Sequence, residues 1–216
     1  MQKILSNINF LEFSNQLKAH LQNGSLDKNA HTQMMPGGRI TVPDFDKPPR
    51  KSAVLILFYP DNNKVYFPLI RRPKYNGAHS GQMALPGGKY EKTDRNLIQT
   101  ALRESCEEIG VCKTGIQVLG CLSELFIPIT NMTVLPVIAT SDYKPTFYTD
   151  QVEVEELFTI SLNEFFDPLV KKKEVWDLRG NDVDIPFYLL QKQKVWGVTA
   201  MMLCELELLL NKILNK

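Results

Sequence analysis

Apolar residues along this chain change their spacing several times, and each change marks an element. Between 3 and 22 they fall at Ile4, Ile8, Leu11, Phe13, Leu17 and Leu21. That spacing predicts an amphipathic helix, which Asn23-Gly24 ends. From 25 to 50 the period is lost among prolines and glycines, so this stretch reads as a connecting arm. Ala53 to Tyr59 is a short apolar run suited to a buried strand. Pro60-Asp61-Asn62-Asn63 is a turn signal, and Val65 to Ile70 reads as the returning strand of a hairpin. Gln82 to Leu85 predicts another short strand, ended by a Pro86-Gly87-Gly88 turn. Leu97 to Ile109 is helical, with Gly110 as its stop. Ile116 to Glu124, Thr133 to Thr140 and Val154 to Ile160 predict strands, while Leu162 to Phe166 and Thr199 to Leu214 predict helices. Strands around one central helix, with helices at both ends, make a mixed α/β (α+β) class. No internal repeat interrupts that order.

Composition narrows the function classes. The chain has 216 residues, 44% hydrophobic and 23% charged, which suits one soluble globular domain with decorated ends. Twenty-five basic against 24 acidic residues give a net charge of +1. That balance offers no global attraction for nucleic acid or a membrane surface. Cys106, Cys112, Cys121 and Cys204 contain no C-x-x-C pair, so neither a zinc site nor a redox motif is expected. Cys106 reads as an inert buried thiol. The start lacks the marks of a signal peptide, and Val195 to Leu214 carries Glu205, Glu207 and Lys212, too many charges for a membrane span. The expectation is a reduced, cytoplasmic protein.

The chemistry concentrates in Gly87 to Val111, GGKYEKTDRNLIQTALRESCEEIGV. On a helix, with Glu104 as origin, Glu107 falls at about −60° and Glu108 at about +40°. Ile98, Ala101, Leu102, Ser105 and Ile109 form the adjoining, mainly apolar face. Three like charges on one ridge repel. Arg103 can answer only part of that charge, whereas a divalent cation with hard oxygen ligands would answer it well. A solvated acidic face is the bland alternative.

This segment resembles the Nudix box, G-x5-E-x7-R-E-U-x-E-E-x-G-U, where U is bulky and apolar. Arg103-Glu104, Glu107-Glu108 and Gly110-Val111 match its second half. Counting from Gly88, Asp94 fills the first acidic position. Eight residues rather than seven then precede Arg103, and Ser105 stands at the first U. The resemblance implies a Nudix fold: an α/β/α sandwich with a central mixed sheet and added N- and C-terminal helices. It divides the chain into 1–38, a helix and arm, and 39–216, the hydrolase domain. It implies hydrolysis of a nucleoside diphosphate linked to another group. Mg²⁺ or Mn²⁺ would be held by Glu104 and Glu108, with Glu107 as third ligand or base, while Arg103 orients a carboxylate.

The segment Leu69 to Gly88 resembles the signature of the coenzyme A pyrophosphatase branch, matching at Arg72, Gly81 and Pro86-Gly87-Gly88. Leu85 replaces a Phe, and no arginine stands near Gly77-Ala78, where a second is expected. Thr100 to Glu104 and Trp196 to Ala200 also look like this branch. Arg71, Arg72, Lys74 and Lys89 form a local basic cluster suited to phosphates. Arg71, Arg72, Lys74, Gly87 and Gly88 are therefore the expected substrate contacts. His79 reads as structural. Glu153 and Glu156 match the branch's later acidic pattern, and Glu153 is the favoured further catalytic group, placed with Glu155 on one face of a strand. The expected partner is a small coenzyme A-like nucleotide, without nucleic acid or membrane, and a homodimer is left open. Another Nudix substrate, such as ADP-ribose or NADH, is the rival reading. A non-catalytic nucleotide sensor is the rival from another class.

Overall fold

The structure is a computed structural model that describes residues 8–24, 29–37, 46–77, 79–112, 114–178 and 180–214. Its organising strand is β1 (Arg50–Asp61), buried without interruption from Ser52 to Tyr59. Unbroken burial means cover on both faces. Asn62 and Asn63 both take positive φ (48° and 59°), which turns the chain tightly into β2 (Lys64–Arg71). Next come β3 (Met83–Ala84), β4 (Gly87–Lys89), β5 (Ile116–Cys121), β6 (Leu125–Ile127), β7 (Met132–Ser141) and β8 (Glu156–Ser161). The sheet runs β3-β2-β1-β7-β5, with β8 on β2, β4 on β1 and β6 on β7. β1 and β7 are parallel and the other pairs antiparallel, so the sheet is mixed.

Alternation along β1 feeds two cores. Ala53, Leu55 and Leu57 pack with Ala101 and Ile109 of the central helix, α3 (Leu97–Ile109). Val54, Ile56 and Phe58 face the other way, toward α1 (Phe10–Gln22) and α5 (Gly197–Leu214), through Phe13, Leu17, Leu206 and Leu210. Each buried Leu, Ile, Val or Phe among them contributes roughly 1.5–3 kcal/mol. Helices on both faces make the expected sandwich. Asn9 caps α1 by accepting from the Glu12 amide, so this helix starts later than its apolar spacing predicts, and Ile4 lies outside the described residues.

Several expectations need correction. The arm contains a helical turn, α2 (Ala30–Gln33), with Ala30 and Met34 buried against α5. Buried residues of α1, α2 and α5 share one core. The Pro-Gly-Gly run is not a simple turn, since Gly87–Lys89 pairs with β1. The strand expected from Val154 begins at Glu156, and the turn before it carries Glu153. A second antiparallel sheet, β9 (Lys171–Asp177), β10 (Asp182–Leu190) and β11 (Gln193–Trp196), had no counterpart in the sequence pattern. A short helix, α4 (Leu162–Phe165), follows β8 as expected.

Candidate active site

α3 is delimited by its caps. Asn96 accepts from the Gln99 amide at 2.9 Å, and Gly110 closes the helix in the left-handed region at φ 73°. Within it, the acids lie in three different environments. Glu108, beside buried Ile109, is 2% exposed. The Glu104 side chain is 14% exposed and that of Glu107 55%. The acidic ridge is therefore no solvated face, because it sinks into the protein at Glu108.

What Glu108 meets there is β4. Its Oε2 accepts from the Gly87 amide at 2.7 Å. Gly87 has φ 148°, and a Cβ on it would stand 2.3 Å from the Ala53 carbonyl oxygen. A Cβ on Gly88 would stand 2.3 Å from Glu104 Oε2. Two glycines thus let a strand lie on β1 and directly under two carboxylates. Burial pushes the Glu108 carboxyl up to about 7, with Glu104 and Glu153 adding to the rise and the Gly87 amide and Arg72 opposing it. Burial also raises Glu104, helped by Glu107 and Glu153 and opposed by Arg103.

Glu153 therefore belongs to this neighbourhood, though not from a strand. Its segment docks on the end of α3: the Tyr148 amide donates to the Ile109 carbonyl and the Asp150 amide to the Glu108 carbonyl, both at 3.0 Å. Asp150 then accepts the amides of Val152, Glu153 and Val154, which shapes the turn. Buried Val154 anchors it, so period-two alternation does not apply.

Arg103 is clamped. Its Nε donates to Asp94 Oδ1 at 3.0 Å and Nη2 to Asp94 Oδ2 at 3.1 Å. Nη2 also reaches the Lys89 carbonyl at 2.9 Å and Glu104 at 3.0 Å, and Nη1 meets Glu107 at 2.9 Å. Asp94 further accepts from the Thr100 hydroxyl and the Glu91 amide. Hydrogen bonding to Arg103 holds its carboxyl down at about 2, and the same pairing raises the guanidinium. The longer spacing before Arg103 leaves Asp94 as the residue that fixes that arginine.

The basic residues divide. Arg72 lies beside the site, with Nη2 3.5 Å from the Gly87 carbonyl. Arg71, one residue earlier on β2, points elsewhere: it pairs with Glu155 and Glu156 and lies over the Phe158 ring. Lys74 is exposed in the loop after β2. A cavity of about 340 Å³ opens on the α5 side of Gly87 and Gly88, and its lining includes Arg50, Arg72 and Lys89 but neither Arg71 nor Lys74. Arg50 was missed, because a lone arginine before an apolar run carries no local signal. His79 Nδ1 lies 3.0 Å from Gln82 Oε1, in keeping with a structural role.

Cys106 corrects the expected inert thiol: it is only partly buried and forms a disulfide with Cys112. Gly110 reverses the chain between them and brings their Cα atoms to 4.4 Å. The two cysteines bracketing a helix-stop glycine were the available signal. Their pairing also conflicts with the expectation that all four are reduced. No helix among the described residues is long and apolar enough to cross a membrane. Among those residues, no three His, Cys, Asp or Glu side chains are grouped so as to hold a metal ion as placed, and Arg103 pairs with Glu104 and Glu107.

The family profile described as NUDIX domain matches residues 49–179, which include the whole of this site from Arg72 to Glu153. The chain belongs to the Nudix family. The uncharacterized Nudix hydrolase NudL of Pectobacterium atrosepticum is 36% identical over 167 residues, covering 74% of this chain and 82% of the relative. Its counterpart from Yersinia enterocolitica is 34% identical over 141 residues, covering 64% and 70%. Among solved structures, a MutT/nudix family protein from Enterococcus faecalis aligns with TM-score 0.49 and 16% identity, over 88% of this chain and 73% of that one. The Nudix domain of Shewanella oneidensis NrtR, complexed with ADP-ribose, aligns at 0.43 and 21%, over 54% and 75%. This Nudix hydrolase is a pyrophosphohydrolase acting on a nucleoside diphosphate derivative. Enzymes of the family generally need a divalent metal ion.

Proposed function

We propose that this Nudix hydrolase splits the pyrophosphate of coenzyme A or a derivative into 3′,5′-ADP and a 4′-phosphopantetheine product. The observation that carries the reaction is Glu104 and Glu108 set over Gly87 and Gly88, one of them fully buried. The substrate assignment draws on the resemblance of Leu69 to Gly88 and on the cations Arg50, Arg72 and Lys89 along the adjoining cavity.

Mg²⁺ or Mn²⁺ matches the hard-oxygen chemistry of these donors, which would have to draw together from the positions Arg103 gives them. The groups are carboxylate oxygens, partly withdrawn from water, and the missing Cβ of Gly88 lets the Glu104 carboxylate lie against β4. Glu104 and Glu108 would hold the ion, with Glu107 completing the set. Such an ion, when bound, supplies an acidified water and neutralises charge on phosphoryl oxygens. The protein's own residues do the rest. Glu153 takes the proton of the attacking water. Asp94 holds Arg103, and Arg103 orients Glu104 and Glu107. Arg72 binds a phosphate oxygen beside Gly87. The water oxygen bonds to one phosphorus, the bridging P–O bond breaks, and the leaving phosphate receives the proton.

Turnover of coenzyme A, ADP-ribose and NADH with Mg²⁺ and with Mn²⁺ tests this reading. Preferential release of 3′,5′-ADP from coenzyme A is expected. Preference for ADP-ribose or NADH would overturn the substrate, and absence of any hydrolysis would favour a sensor.

A further inference from the structure

The cavity beside Gly87 and Gly88 has two natures. Its deepest wall is uncharged, formed by the buried side chains of Val54, Met83, Leu85, Val134 and Met202. Its cations sit where water reaches: Arg50 and Lys89 are exposed and Arg72 half-buried. Part of the wall comes from α5, through Val198, Thr199 and Met202, which lie beyond the 49–179 match. Thr199 Oγ1 donates to the Met83 carbonyl at 3.2 Å and so ties this helix to the wall.

The volume, about 340 Å³, is at the lower end for a small-molecule site. It takes one arm of a dinucleotide-sized substrate and leaves the other outside. A phosphate driven against Val54, Leu85 and Met202 would lose its hydration without gaining a partner. The phosphates therefore stay at the cationic rim, and what enters is neutral. Two rings line the cavity, exposed Tyr75 and half-buried His79, while the buried wall of Val54, Met83, Leu85, Val134 and Met202 carries none, so a purine has stacking partners only on the more open side. Pliable methionine and aliphatic side chains suit a flexible chain instead.

We propose that the cavity receives the uncharged arm of the substrate, an amide-linked thiol or its acyl thioester, and that Val198 and Met202 of α5 set the chain length accepted. This rests on the coenzyme A reading above. The test is kcat/KM, with Mg²⁺, for free coenzyme A and for short- and long-chain acyl thioesters. Val198→Phe should lower the ratio of long-chain to free coenzyme A by about tenfold or more, and Met202→Ala should raise it. On the unaltered enzyme, pantetheine and its acyl thioesters should inhibit competitively, more tightly with a longer chain, which keeps the proposal testable should a variant fold poorly. Unchanged ratios in both variants, or no inhibition by acyl pantetheine, would overturn it while coenzyme A turnover leaves the functional reading standing. Weakened inhibition by 3′,5′-ADP in Val198→Phe with an unchanged chain preference would place the nucleoside in the cavity and also overturn it. Failure of the parent enzyme to cleave coenzyme A would remove the functional reading itself.

Discussion

Among the described residues two glutamates are almost fully buried, and they are treated in opposite ways. Glu205 of α5 is 1% exposed and Glu108 of α3 is 2% exposed. Glu205 is satisfied on every side: the Ser123 hydroxyl donates at 2.6 Å, the Ser123 amide lies within reach of both oxygens, and His31 Nε2 stands 3.0 Å away. That cluster ties α2, α5 and the β5–β6 connection together. Among the described residues, Glu108 has one donor, the Gly87 amide, and carboxylates as its charged neighbours besides Arg72. A buried charge that serves the fold is surrounded by donors. A buried charge left short of them is held in place for something else to complete.

The sharpest way to break this contrast is to neutralise each carboxylate. Glu108→Gln should lower kcat about a thousandfold, or about 4 kcal/mol of barrier, while the variant melts no lower than the parent. Glu205→Ala should do the reverse. It strands Ser123 and His31 and should cost about 3–5 kcal/mol of stability, with kcat per folded molecule near that of the parent. Urea melts and steady-state rates on both variants decide the matter. A Glu108→Gln enzyme of normal rate, or a Glu205→Ala protein of normal stability, ends the distinction.

Asp94 sharpens it by offering a third buried carboxylate, one that is richly donated to and held at about 2. Asp94→Asn should loosen Arg103 and reduce activity about 10- to 100-fold. It should also change the acid limb of stability. A carboxyl depressed from 3.8 to about 2 contributes stability that is complete above about pH 4 and is lost as pH falls toward 2. The stability gap between parent and Asp94→Asn should therefore be constant at neutral pH and close across that window. A gap independent of pH would show that Asp94 is not ionised against Arg103.

The disulfide joins Cys106 of α3 to Cys112, just beyond the helix end. Cys106→Ser should cost about 2 kcal/mol, the entropy of one short loop, and reductant should lower the parent's melting temperature to that of the variant. No effect of reductant would mean that the cysteines are not paired in solution.

Much of this arrangement was legible in the sequence, for reasons visible in particular residues. α3 runs from Leu97 to Ile109 as predicted, because its apolar spacing, Asn96 and Gly110 all specify the same element. β1 and β2 declare themselves through apolar runs about an Asn-Asn turn. β9 could not be found this way, since Lys171 to Asp177 is almost wholly exposed and its pattern reports no core. Glu153 was read as an acid on a strand, but it lies on a turn that depends on Asp150 and on carbonyls at the end of α3, contacts that no local period encodes. Arg71 and Arg72 look alike in sequence, yet Arg71 ends β2 and pairs with Glu156, while Arg72, just past the strand, reaches the Gly87 carbonyl.

Ser105 gives the smallest test and limits how far the contrast extends. It fills the box position expected to be bulky and apolar, it is fully buried, and its hydroxyl has no hydrogen-bond partner among the described residues. Unlike Glu108 it carries no charge, and it lies on the sheet-facing side of α3 with Ala101 and Ile109. An unpartnered hydroxyl there is only a cost, so it should be removable without loss. Ser105→Ala should gain about 1 kcal/mol from helix propensity and from relief of the orphaned group, or roughly 2–4 °C in melting temperature for a chain of this size, with kcat unchanged. A fall in melting temperature would mean that the hydroxyl has a partner in solution. A fall in kcat would mean that an uncharged orphan on this helix can also serve the site, and charge would then no longer be what separates Glu108 from the rest of the core.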